Sequence, residues 1–196
     1  NYSCLSMAYN IKDVFYLSTS ATIASGTSAG GSAQLDLSAY IDPIARGRQK
    51  GTGLAVYKVH WGIQPASDDS EPIDDAEVGT FTYGLIAGLG IGDNATGVIN
   101  AADDALQMTN SLLVSSGMFL GPKSQVANAC TPANMFNQYV DPSTEVPYVI
   151  VRDNVVMLYQ VGDQLTGAMT ISCRLEVAQI TLDQSTLNQL LRTQTV

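Results

Sequence analysis

The sequence predicts an all-β chain, an antiparallel β-sandwich or jelly roll, and three observations predict it. Residues 168 to 178 alternate strictly, with Met169, Ile171, Cys173, Leu175 and Val177 on one side and Thr170, Ser172, Arg174 and Glu176 on the other, the period of a half-buried strand. Segments of this kind recur, seven or eight in all, between clusters of Gly, Pro, Asn and Asp. Helical periodicity is scarce, which argues against an alternating βαβ arrangement. At 196 residues a single domain over 1–196 with a proper core is expected.

Taken in order, Asp13 to Ile23 is rich in β-branched and aromatic residues and leads into a Ser/Gly-rich connection at 24–32, a strand followed by a loop. Gln34 to Ile41 alternates Leu35, Leu37, Ala39 and Ile41 with Asp36, Ser38 and Tyr40 before the Asp42-Pro43 break, a second strand with one wet face. Leu54 to Ile63 places Tyr57, Val59, Trp61 and Ile63 opposite Val56, Lys58 and His60. Thr80 to Ala87, with Gly84 inside it, is the next strand, and the glycines at 88, 90, 92 and 97 that follow turn the chain tightly. Residues 101 to 115 suit a short helical turn leading into a strand. Prolines at 122, 132, 142 and 147 punctuate a long connection with a helical turn near 132–136. Tyr148 to Val161 is β-forming but interrupted at Arg152-Asp153-Asn154, so it is either one bulged strand or two short ones. Gly162 to Gly167 then turns into the strand at 168, and the two segments are expected to form a hairpin. Asp183 is positioned to cap a short C-terminal helix bearing Leu187, Leu190 and Leu191.

Composition narrows the function. Charged residues are 14% of the chain, against about 25% in an average protein, and Ser, Thr, Asn and Gln take their place. Interface cores are depleted in charge, so this surface suits assembly. The net charge of -9 opposes gripping a phosphate backbone, and no direct nucleic-acid binding is expected. The basic cluster Arg46, Arg48 and Lys50 reads as a solvated turn. Three cysteines, Cys4, Cys130 and Cys173, lack zinc or disulfide-framework spacing. Cys173 falls on an apolar strand face as a buried thiol, and a Cys4–Cys130 bridge stays open as an alternative. No apolar run is long enough for a membrane-spanning helix.

The inventory for catalysis is thin, and no enzyme activity is expected. His60 is the sole histidine, so a multi-imidazole zinc site is ruled out; a strand residue at an edge or interface is the preferred reading. No Gly-x-Ser-x-Gly elbow presents a nucleophile, and the run Gly88-Leu-Gly90-Ile-Gly92-Asp93 fails the dinucleotide fingerprint. No cofactor is expected. Asp68, Asp69, Glu71, Asp74, Asp75 and Glu77 crowd around Pro65 and Pro72. As oxygen donors they are the metal candidates, for calcium, although they lack EF-hand spacing and a solvated acidic loop is the preferred reading. The sequons at Asn1 and Asn94 carry little weight.

The opening Val14–Ile23, the motif Leu35-Asp-Leu-Ser-Ala-Tyr-Ile-Asp-Pro43 and the closing Tyr148–Thr181 segment together resemble the single jelly-roll capsid proteins of tailless icosahedral viruses. That resemblance implies a virion shell subunit with long loops and a short C-terminal helix, whose partners are copies of itself and a second capsid protein. The missing basic arm departs from capsid proteins that touch the genome, which implies a shell over an internal viral membrane or another protein layer. Two further readings stand beside it. One is a microbial surface filament or layer, extracellular or at the cell surface, with residues 1–23 as a donated strand. The other is a carbohydrate-binding β-sandwich, in which Trp61 would be a stacking residue.

Overall fold

The computed structural model describes residues 14–42, 50–67, 79–87, 106–121 and 135–193. The described elements are β1 (Val14–Ile23), β2 (Gly31–Asp36), β3 (Lys50–Pro65), β4 (Thr80–Ala87), β5 (Leu113–Leu120), β6 (Met135–Val140), β7 (Tyr148–Ile150), β8 (Asn154–Asp163), β9 (Met169–Asp183) and the helix α1 (Gln184–Thr193). They form a four-stranded sheet, β1-β9-β3-β7, and a five-stranded sheet, β2-β8-β4-β5-β6. The pairings are nested and antiparallel: β1 with β9, β2 with β8, β3 with β7, and β4 with β5. Such nesting is one long hairpin rolled so that successive rungs fall alternately in two sheets. The roll is closed by β3–β9 and β4–β8, and β6 is an addition on the outer edge of β5. This is a jelly roll, the expected sandwich.

The inner faces of both sheets meet in one apolar core, in which Leu54, Phe81, Tyr83, Met157, Ile171, Leu175 and Val177 are almost wholly buried. Phe81 stacks on Phe119 with centroids 5.0 Å apart, and Trp61 lies 4.7 Å from Tyr83, distances at which aromatic pairs add to simple burial. The five-stranded sheet is covered on its other side too. Ile86, Val156 and Leu158 pack there with Leu112 and Leu113, which explains why β8 is buried from Val155 to Leu158 without alternation.

Several expectations are corrected. The second strand starts at Gly31, inside the stretch read as a loop, and ends at Asp36. There the Asp36 carboxylate accepts the Ser38 backbone N–H at 2.8 Å, and an Asx turn diverts the chain. In β3 the register with β9 shifts between Val56 and Lys58. This bulge changes the facing of the strand, so Leu54 and Val56 before it and Val59 and Ile63 after it all reach the core. The interrupted segment resolves into two strands that belong to different sheets, so the expected hairpin with β9 does not form.

The five-residue link from Gln164 to Ala168 crosses the sandwich instead. It inserts buried Leu165 between the sheets and bonds its carbonyl to Gly26 N at 2.8 Å. Gly79 makes room for it: its φ is +152°, and an added Cβ would lie 2.6 Å from Leu165 Cδ2, so only glycine fits. Residues 14–23, expected as part of a donated strand, instead pair along ten positions with β9 of their own chain.

The C-terminal helix forms as expected. Asp183 Oδ1 accepts the Thr186 N–H at 2.7 Å, an N-cap that holds the Asp183 carboxyl below its usual range, and Leu187 is fully buried. The acidic loop at 68–77, Cys4, Cys130, Arg46, Arg48, the glycine run at 88–97, both sequons and most of the turn near 132–136 lie outside the described residues.

Leu175→Ala, which empties the centre of the sandwich, is expected to cost about 2–5 kcal/mol, read as a lowered urea midpoint at unchanged slope.

Candidate functional site

The alternation that fills the core also sets a polar surface on the outer side of the four-stranded sheet. Reading across β1, β9 and β3, the register aligns Tyr16 with Glu176 and Lys58, Ser18 with Arg174 and His60, Ser20 with Ser172 and Gly62, and Thr22 with Thr170 and Gln64. Residues opposite one another across paired strands project to the same face. Four rows of hydroxyl, charged and amide groups therefore lie side by side.

Within this surface runs an open groove of about 790 Å³, lined by Tyr16, Ser18 and Ser20 of β1, by Arg174 and Glu176 of the central strand β9 and by His60 of β3. Gly62 deepens it, because a Cβ there would stand 2.9 Å from Ser172 Oγ. His60 Nε2 and Glu176 Oε1 are 2.8 Å apart, with both side chains partly exposed, so the contact orients the imidazole and adds little stability. The Arg174 guanidinium sits 5.7 Å over the Tyr16 ring, a cation–π contact worth about 0.5–1 kcal/mol at an exposed site. Tyr16 remains 60% exposed, so one end of the groove is an accessible aromatic surface.

The arrangement offers hydroxyls, one guanidinium, one carboxylate and one imidazole to a polar ligand. It does not form a nucleophilic relay, which needs a hydroxyl hydrogen-bonded to its base. The Ser172 hydroxyl donates to the Gly62 carbonyl at 3.3 Å, and Glu176 is the partner that His60 has among the described residues. Among the described residues no group of three or more His, Cys, Asp or Glu could hold a metal ion, and the calcium candidates at 68–77 fall outside them.

Where β7 ends, β3 is open on that side, and Asp141 closes it by accepting the Val59 N–H at 3.1 Å. Burial raises the Asp141 carboxyl above its usual range, against the opposing pull of that hydrogen bond and of Lys58 and His60. Sequence reading passed over Asp141, since a carboxylate before Pro142 gives no sign of which backbone it will meet.

Trp61, read as a stacking residue under the carbohydrate alternative, points inward. Its indole N–H donates to Ser115 Oγ at 2.9 Å, and its ring packs on Tyr83. Trp61 also lines the groove, but the ring exposed there among the described residues is that of Tyr16. Cys173 is buried as expected, and burial pushes its thiol up to about 12, which leaves it protonated and unreactive.

No protein-family model and no characterised protein sequence matches the chain. Solved structures to which it is similar include VP1 of Trichodysplasia spinulosa-associated polyomavirus in complex with GM1 oligosaccharide. That alignment has a TM-score of 0.43 and 8% identity, and covers 88% of this chain and 95% of that one. A second is the same VP1 in complex with sialylated precision glycooligomers, at a TM-score of 0.40 and 10% identity over 88% and 96% of the two chains. The jelly-roll assignment rests on the strand pairings themselves.

Two outcomes follow from the buried groups. Native Cys173 should resist a thiol reagent until the chain is unfolded, as read by mass spectrometry of its peptide. Because the folded Asp141 carboxyl is raised, the folded state holds more protons than the unfolded one between the ordinary carboxylate pKa and the raised value. Stability from this group falls as pH rises through that window and stays lower above it. Asp141→Asn keeps an oxygen for Val59 N–H and should be neutral or mildly stabilising at pH 7 relative to pH 3, measured by urea denaturation at both.

Proposed function

We propose that this chain is a coat subunit, a non-catalytic structural protein that self-assembles into the icosahedral shell of a tailless virus. The observation that carries the reading is the solid interior of the jelly roll. The fold serves viral capsids, lectins and cupins, and fold alone does not choose among them. A cupin-like site would require polar ligands inside the roll, whereas the space between these sheets is filled by Leu54, Phe81, Met157, Ile171 and Leu175. Function is therefore exercised at the surface. That surface belongs to a chain with 14% charged residues, a composition suited to many weak lateral contacts made stable collectively.

In this reading the partners are copies of the same chain and a second capsid protein, and the location is the virion. The acidic balance of -9 favours a shell that rests on an internal membrane or another protein layer rather than on nucleic acid. No described helix is long and apolar enough to cross a membrane. The acidic stretch at 68–77 is proposed as a solvated loop, with calcium held at a subunit junction as the alternative.

A second reading, a carbohydrate-binding sandwich, is favoured by the groove beside Tyr16. An exposed ring next to Arg174 and a line of serines offers a stacking surface and hydrogen-bonding groups to a polyhydroxylated ligand. Such an open site would bind weakly and gain strength from many copies.

Electron microscopy of the assembled native material, with mass spectrometry confirming the chain, is expected to show closed shells. Filaments or flat layers would favour a surface polymer, and a monomer at every concentration would overturn the coat reading. For the second reading, Tyr16→Ala and Arg174→Ala should each abolish binding on a glycan array while lowering the thermal midpoint by no more than about 4 °C.

A further inference from the structure

We propose that the free edge of β1 is a self-association surface, where β1 of a second copy pairs antiparallel about a two-fold axis. The two four-stranded sheets would then run on as one sheet of eight strands. β1 ends its sheet, and no backbone hydrogen bond from another described segment reaches it on that side. In an antiparallel strand every second residue turns its N–H and C=O away from the neighbour. A ten-residue strand about 33 Å long thus presents a row of donors and acceptors that no other described segment pairs.

Natural edge strands carry devices that prevent such pairing: shortness, proline, bulges or charge. β1 has none of them. Its sequence, Val-Phe-Tyr-Leu-Ser-Thr-Ser-Ala-Thr-Ile, holds no charged residue, no proline and no glycine, and its register with β9 runs through ten pairs without a shift. The other described edges differ. β7 is three residues long and follows Pro147, β2 is six residues long, begins with glycine and ends in Asp36, and β6, uncharged like β1, is only six residues long and shifts register against β5.

The occupant is a second copy because β1 complements itself. Like-charge repulsion, which ordinarily holds identical edges apart, is absent along its whole length. An axis at Thr19, near the middle of the strand, sets Thr19 against its own copy, Ser18 against Ser20 and Tyr16 against Thr22, and Thr and Ser pairs across strands are favourable. The outward residues Val14, Tyr16, Ser18, Ser20 and Thr22 are all exposed. The contact is isologous and closes after two copies, which leaves the remaining surfaces for contacts between dimers. The proposal deepens the coat reading by naming one of its contacts, and it rests on that reading only for where the dimer goes.

Sedimentation of the full chain should show a dimer, and Ser18→Lys combined with Ser20→Lys should weaken it by about tenfold or more with an unchanged circular dichroism spectrum. In the parent chain, amide exchange across residues 14–23 should slow as concentration rises. A dimer indifferent to the double variant, or β1 amides that exchange alike at every concentration, would overturn the proposal. So would a dimer lost on deleting residues 1–13 but kept by the double variant, since an arm from a neighbour would then occupy the edge. Shells formed equally well by the double variant would remove the edge contact and leave the coat reading intact. A β1 dimer that never forms shells would do the reverse.

Discussion

The strand β9 holds the molecule together, lying between β1 and β3 and paired with both along most of its fifteen residues. Its alternation fixes the register of the whole sheet. A slip of one residue would turn Thr170, Ser172, Arg174 and Glu176 into the core and Met169, Ile171, Cys173, Leu175 and Val177 into solvent. Burying even one of those charges unpaired costs more than a domain of this size can spare. The same constraint that builds the core therefore places Ser172, Arg174 and Glu176 on the outer face, beside Tyr16, Ser18 and His60. Core and groove are two sides of a single pattern.

That economy leaves the interior closed. The described interior is filled by aliphatic and aromatic side chains, and on the other side of the five-stranded sheet Leu112 and Leu113 pack with Ile86, Val156 and Leu158. Among the described residues, the polar face of the four-stranded sheet and the uncharged edge of β1 stay accessible. His60 has its carboxylate neighbour Glu176 in place, and the Ser172 hydroxyl on the same face is engaged with the Gly62 carbonyl.

Several elements were legible because their cause is local. The alternating strand at 168, the strand from Thr80 to Ala87, the buried thiol of Cys173 and the Asp183 cap each depend on spacing within a few residues. Errors arose where a distant partner decided. The bulge in β3 is invisible in a sequence where Tyr57 and Val59 look like members of one face. Trp61 offered itself as a surface ring until Ser115, far along the chain, supplied a partner for its N–H. The groove was not legible at all, since it is assembled from three strands that are far apart in sequence and adjacent only through register.

By itself the sequence determined the fold class, most strand positions, the terminal helix and the lack of charge, because period-two alternation, turn residues and caps act over short distances. Only the tertiary structure decided which strand pairs with which. β8 and β9, separated by a link short enough for a hairpin, went to opposite sheets because Leu165 is buried between the sheets. Both strands carry β-forming patterns that fit either arrangement, so local propensity cannot separate them. The choice falls to packing, where nested pairing lets both sheets bury their apolar faces at once.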